Sequence, residues 1–241
     1  MPKKRLDQLL VDLGLAKTRS QAKLFITEGK VSVDGKVVQK PGVQTSDESQ
    51  LVIQGRSDLV GRGHHKLDHA RVEFGIDFEG LVVADIGAST GGFTQCLLEN
   101  GARQVFCVDV GRDQLDPVLQ SDERVHDLQG INVKYPFELP SKVDAMVVDL
   151  SFISQRLVIE SLIEHLSPKG FIVSLFKPQF EVGSSNIDKG GIVKNKKAIE
   201  LAQDEFSQLL KSFNCFVERW IDSPISGKKG NSEFLCLIKR S

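Results

Sequence analysis

The spacing of apolar positions changes character along this chain. Near the amino end Leu6, Leu9, Leu10 and Leu13 recur at i, i+3, i+4 and i+7, which predicts an amphipathic helix closed by Gly14. Ala22, Phe25 and Ile26 predict a second helix, with Thr18 as its N-cap and Gly29 at its end. Alternation then takes over in VSVDGKVV, and Asp34–Gly35 at its centre predicts a type I′ hairpin. Gln50 to Ile53 offers one more strand. From His64, Leu67, Ala70 and Phe74 predict a helix, with Lys66 in its first turn.

Beyond residue 80 the pattern is of short, unbroken apolar runs separated by helical stretches. Leu81–Ala84, Gln104–Val110, Arg124–Gln129, Ala145–Leu150, Phe171–Lys177, Phe216–Ile225 and Phe234–Lys239 read as strands, and Leu157–Leu166 and Lys197–Phe213 as helices. Continuous apolar runs suit strands covered on both faces, and their alternation with helices predicts an α/β, mostly parallel, doubly wound Rossmann-like sheet. The last two strands are joined by the short SGKKGNSE loop, so the final one is expected to return antiparallel. The chain thus divides into a small α+β module over 1–55, a Gly-rich joint over 56–63 and a large α/β domain over 64–241.

Charge sharpens this division. The whole chain carries a net −1, but residues 1–40 hold nine Lys and Arg against four acids. A basic module of net +5 on a body of net −6 points to a polyanion at the amino end. Lys17, Arg19 and Lys23 cluster at the start of the second helix, within reach of phosphates. No stacking platform accompanies them, which favours folded RNA over single strands.

Other classes fall away. Cys96, Cys107, Cys215 and Cys236 each sit in an apolar run without a CxxC pair, the pattern of reduced core thiols in a cytoplasmic protein. His64, His65 and His69 have no accompanying Cys or acid cluster, so no metal is expected. No apolar stretch approaches a membrane span, and no leader peptide is expected at the basic amino end.

The candidate chemistry begins at LVVADIGASTGG, residues 81–92. A strand ending in Asp85, a turn of small residues (Gly87, Ala88, Ser89, Thr90, Gly91, Gly92) and a helix from Phe93 form a cofactor-binding unit of a parallel sheet. Asp109, about 20 residues on at the end of the next strand, is placed for ribose hydroxyls. Neither GxGxxG nor GxxxxGK[ST] is present, so the turn fits S-adenosylmethionine better than a dinucleotide or ATP. Two further strands end in charge, Asp149 and Lys177. An antiparallel last strand starts at the edge where parallel strands end, which brings Glu233 to the same rim. With Lys66, four groups could converge there.

Two resemblances organise these motifs. RLDQLLVDLGLAKTRSQAKLFITEGKVSVDGKVVQKP resembles an S4 RNA-binding domain. The resemblance implies binding of structured RNA, here through Lys4, Arg5, Lys17, Arg19, Ser20 and Lys23. The remainder, with CVDVGRDQL, VVDLSFIS, LFKPQFEVG, KGGIV and GNSEFL, resembles the FtsJ-type RNA 2′-O-methyltransferases. The combination resembles the TlyA-like, or haemolysin A, rRNA methyltransferases from end to end.

This implies S-adenosyl-L-methionine as cofactor, ribosomal RNA or ribosomal subunits as partner, and a Lys66–Asp149–Lys177–Glu233 tetrad. It further implies cofactor contacts from Asp85, Gly87, Ala88, Ser89, Gly91, Gly92, Phe93, Asp109, Val110, Gln129, Asn132 and Asp149. Gln129 stands where the family carries an acid before its Asn.

A ribose hydroxyl is a poor nucleophile and needs a base at the moment of attack. Lys177 is the expected base. A second ammonium and partial burial favour its neutral form; the two carboxylates push the other way but orient the amines and limit the cost of burying them. The turn after Asp149 lacks the Pro-Pro-aromatic pattern of amino-group methylation, which favours oxygen as acceptor. The rival classes are an RNA-binding protein with an inactive methyltransferase fold and a membrane-active haemolysin.

Overall fold

The structure is a computed structural model describing residues 3–12, 15–16, 18–46, 49, 51–53, 60–61, 63–227 and 230–241. It separates into two compact units, 1–58 and 59–241. Lys17, Gly14 and most of the predicted joint over 56–63 lie outside the described residues.

In the first unit, β1 (Lys3–Arg5) leads directly into α1 (Leu6–Asp12). After α2 (Arg19–Thr27) come β2 (Val31–Val33), β3 (Lys36–Val37), β4 (Gln44–Ser46) and β5 (Leu51–Ile53). Thr18 caps α2 as expected, its hydroxyl oxygen accepting from the Gln21 amide. Asp34 and Gly35 both have positive φ, 50° and 79°, the geometry a type I′ turn requires. Leu6, Leu10, Ala22, Ile26 and Val31 form the core. One ladder escapes the hydrophobic pattern: β1 pairs antiparallel with β4. Both strands are polar throughout, so apolar alternation could not reveal them.

The second unit is built on a seven-stranded sheet. Its strands are β6 (Val82–Ile86), β7 (Gln104–Asp109), β8 (Val125–Gln129), β9 (Val143–Val148), β10 (Leu166–Phe176), β11 (Cys215–Asp222) and β12 (Phe234–Arg240), in the order β11-β12-β10-β9-β6-β7-β8. Five strands, β8 to β10 in that order, run parallel. β12 inserts antiparallel between β10 and β11.

Side chains alternate between two apolar layers. Ala84, Ile86 and Met146 face one, with Phe206 of the helix Lys196–Ser212. Val83, Ala145 and Val147 face the other, with Leu67 of α3 (Gly63–Phe74) and Leu97 of α4 (Gly92–Glu99). Burial on both faces is why these strands read as unbroken apolar runs. All four cysteines are free and buried, and burial pushes the Cys96 thiol up to about 12.

Candidate active site

Strand order decides what meets at the carboxyl edge of the sheet. β6 and β9 are neighbours, and the Asp149 amide donates to the Ile86 carbonyl at 2.9 Å. The next residue, Gly87, has φ 86°, and a Cβ there would lie 2.6 Å from the Asp149 carbonyl oxygen. Only glycine lets the turn pass so close to the end of β9. The turn continues through Ser89, whose φ is 50°, to the start of α4.

Two cavities open against this turn. One, of about 650 Å³, is lined by Lys66, Asp149, Lys177 and Glu233 together with Gly87, Ala88, Ser89, Gly92 and Phe93. Lys66 Nζ donates to Glu233 Oε2 at 2.5 Å, with both residues buried. Lys177 Nζ lies 2.5 Å from Asp149 Oδ1 and donates to Ser151 Oγ at 2.8 Å. Each lysine is thus paired with its own carboxylate on the wall of one cavity.

Lys66 sits in the first turn of α3, where a cation opposes the helix dipole. Its ion pair offsets that placement. Glu233 is held in turn by the loop before β12. Its Oε1 would stand 2.4 Å from a Cβ at Gly227, so a larger residue there would push the carboxylate from its present position. Asn231, almost fully buried, accepts from the Val193 amide and donates to the Gly191 carbonyl, tying this loop to the 191–193 segment.

The second cavity, of about 790 Å³, shares Gly87, Ser89, Asp149, Ser151, Phe152 and Phe180 with the first. It adds Asp109, Val110, Ile131, Asn132, Leu150 and Leu157. The Asp109 carboxylate accepts from the amides of Ser89 at 2.8 Å and Gly111 at 2.7 Å, which orients it and leaves lone pairs for a hydroxyl. Val110, Leu150 and Leu157 give the same cavity apolar surface. An acid for hydroxyls, apolar walls and a turn of small residues suit a nucleoside carrying an aliphatic tail.

Three predicted cofactor residues lie elsewhere. Gly91, with φ 95°, lines neither cavity and shapes the turn instead. Gln129 also lines neither, and its Oε1 accepts from the Asp113 amide at 2.9 Å. Asp85 is wholly buried beneath the turn, where Thr94 Oγ1 donates to its Oδ2 at 2.6 Å. Burial pushes the Asp85 carboxyl up to about 7, and the Thr94 hydrogen bond opposes this. Its part is internal support of the turn.

The sequence did not single out Ser151, Phe152, Phe180 or Asn231. Phe152 is 91% exposed, has a φ of 64°, and stands with its ring centroid 5.4 Å from that of Phe180 at the mouth of both cavities. An aromatic residue directly after the Asp149–Ser151 stretch was the available signal.

In the first unit, Arg5 and Arg19 have an internal partner. Asp7 is fully buried; Arg5 donates to it from Nε at 3.0 Å and Nη2 at 3.1 Å, and Arg19 from Nη2 at 3.0 Å. The side chains of both arginines remain about half exposed. Hydrogen bonding to Arg5 leads in holding the Asp7 carboxyl down at about 2. Lys4 donates to Asp12 at 2.6 Å, while Ser20 and Lys23 are exposed on α2.

Comparison with known proteins fits this geometry. The family model described as FtsJ-like methyltransferase matches residues 59–240. The chain belongs to the FtsJ-like methyltransferase family. The S4 domain model matches residues 4–49, ahead of the FtsJ-like unit.

The chain is 39% identical over 242 residues to the 16S/23S rRNA (cytidine-2′-O)-methyltransferase TlyA of Mycobacterium tuberculosis, covering 98% of this chain and 89% of that protein. It is 37% identical to Hemolysin A of Brachyspira hyodysenteriae, covering 96% and 98%. A solved structure from Streptococcus thermophilus, provisionally described as a hemolysin, superposes with a TM-score of 0.75 at 36% identity, covering 100% of this chain and 90% of that one. No helix among the described residues is long and apolar enough to cross a membrane.

Proposed function

We propose that this protein transfers a methyl group from S-adenosyl-L-methionine to a ribose 2′-hydroxyl of ribosomal RNA, on a cytidine, in the cytoplasm. The observation that carries this reading is the pair of Lys–carboxylate contacts on one cavity wall beside the glycine turn. The TlyA name borne by a near full-length relative supports RNA ribose as acceptor.

When bound, S-adenosylmethionine would supply a methyl group on a sulfonium, whose carbon an oxygen nucleophile can attack while the C–S bond breaks and the sulfur leaves as the neutral thioether of S-adenosylhomocysteine. Asp109, Asn132 and the apolar wall of the second cavity would hold its nucleoside part, and Gly87 to Phe93 its tail. The acceptor ribose would enter the first cavity. Lys177 takes the proton from the 2′-oxygen as the bond to the methyl carbon forms. Asp149 and Ser151 fix the direction of the Lys177 amine. Lys66 offers positive charge to the oxygen as charge develops there, and Glu233 aims it.

The S4 unit, assigned to 1–55 with the joint at 56–63, brings the RNA. Lys4, Arg5, Lys17, Arg19, Ser20 and Lys23 are its candidate phosphate contacts.

The test is transfer of labelled methyl to ribosomal RNA or subunits, followed by mapping of the modified nucleotide. The expected product carries the label on ribose. Label on a base, or none with either subunit, overturns the reading. The haemolysin name of one relative makes membrane lysis the rival, and dye release from liposomes by purified protein without cofactor would favour it.

A further inference from the structure

The ladder between β9 and β10 ends at Val148↔Ser174, yet Asp149 and Lys177 lie beyond it. Pairing of the strands therefore does not set where these two side chains meet. Something else must hold the segment after β9 against the segment after β10.

That connection is a buried carboxylate. The Glu181 side chain is only 1% exposed. It follows Lys177 closely, through a tight turn in which the Phe180 amide donates to the Lys177 carbonyl and the Glu181 amide to the Pro178 carbonyl. Its two oxygens accept from the other segment. Ser154 Oγ donates to Oε2 at 2.6 Å and the Gln155 amide to Oε1 at 2.7 Å. Arg156 adds a longer contact, Nε to Oε2 at 3.4 Å, and its Nη2 donates to the Glu181 carbonyl at 2.5 Å. Gln155 is itself anchored on β10, donating to the Leu175 carbonyl and accepting from Ser174 Oγ.

Burying a carboxylate is costly, and an apolar contact of the same volume would often give the fold as much stability. What two fixed acceptor oxygens add is a defined distance and angle between the segments they join. Those segments carry Asp149 and Ser151 on one side and Lys177 on the other, with Phe152 and Phe180 at their outer ends.

We propose that Glu181 is a positioning residue of the acceptor site: its carboxylate latches the segment after β9 to the segment after β10 and thereby sets the Asp149–Lys177–Ser151 geometry. The proposal rests on the methyl-transfer reading above. Glu181 touches neither cavity, so it acts through the residues it holds.

The test compares Glu181→Gln, Glu181→Asp and Ser154→Ala with the wild-type protein. Glu181→Gln keeps the volume but turns one acceptor into a donor, so it cannot accept from both Ser154 and Gln155. Displacement of the base by a fraction of an ångström to an ångström predicts a kcat lower by about 10- to 100-fold in Glu181→Gln. Glu181→Asp, with a carboxylate drawn back by one methylene, falls less, and Ser154→Ala least. S-adenosylmethionine affinity by calorimetry is expected to fall by a smaller factor than kcat, because Asp109, Asn132 and the glycine turn are untouched although the displaced segment also lines the second cavity. Hydrogen exchange is expected to quicken over 150–156 and not in β6 or β7.

An unchanged kcat in Glu181→Gln overturns the proposal. So does a loss in which kcat, cofactor affinity and exchange protection fall together across the unit, the mark of a merely structural carboxylate. If the wild-type protein methylates no RNA, the functional reading falls, and the exchange pattern still decides whether the latch exists.

Discussion

Both units set carboxylates against cations, but with different cations and different outcomes. In the S4 unit Asp7 is gripped by two arginines whose side chains stay half exposed. In the FtsJ-like unit Asp149 and Glu233 each face one lysine, and both lysines are about nine-tenths buried. Arginine keeps its charge at every pH of interest and offers a rigid fork, so it suits a permanent structural grip. Lysine is a compact point charge on a flexible stem and, unlike arginine, is a residue type that can serve as a base. The contrast is between charge that grips a fold from its surface and charge paired on a cavity wall, where the proposed reading sets its base, and it can be broken experimentally from either side.

The largest effect is expected at Lys177. Lys177→Ala should lower methyl transfer by about 10³-fold or more while cofactor affinity stays within a few-fold, read by single-turnover kinetics and calorimetry. Lys177→Arg should fail nearly as badly, because a guanidinium cannot surrender its proton. Recovery of activity with arginine would erase the distinction between the two units.

Next comes Asp7→Asn, which removes the negative charge between two arginines and turns one of its acceptor oxygens into a donor. With both arginines half exposed, it should destabilise the S4 unit by about 1 kcal/mol in urea titration. The FtsJ-like unit should keep its cofactor affinity.

The same pair predicts a pH dependence. Asp7 has a folded pKa of about 2, below its ordinary 3.8. Its contribution is therefore complete above about pH 4 to 5 and is lost as pH falls through about 2. Acid titration of the isolated difference between wild type and Asp7→Asn should show that difference closing over this window.

The smallest effect separates the exposed cations of α2. Lys23→Ala should weaken RNA binding a few-fold and reduce the salt slope by about one, with no change in stability. Arg19→Ala should do the same and also destabilise the unit, because its guanidinium serves Asp7 as well. Equal stability in the two variants would show that Arg19 is not part of the grip.

Much of this arrangement is legible in the chain. Lys66, Asp149, Lys177 and Glu233 stand out because charge at the end of an apolar strand, or in the first turn of a helix, lacks a local reason. The antiparallel return of β12 follows from a loop too short for a crossover. What stays hidden shares a physical cause. Glu181 and Asn231 act through partners far away in sequence, and a polar residue in a loop looks the same whether solvated or buried. β1 and β4 have no apolar period to announce them. The grip of Arg5 and Arg19 on Asp7 stays hidden because a basic side chain gives no sign of which acid lies beside it.

The place of β12 inside the sheet has a consequence for synthesis. The strand that fills the gap between β10 and β11 is made after both of them. A nascent chain emerging from the ribosome holds Lys66, Asp149 and Lys177 long before Glu233, and Lys66 has no counter-charge until residue 233 arrives. The sheet cannot close, nor the four groups share one wall, while translation is still short of those residues.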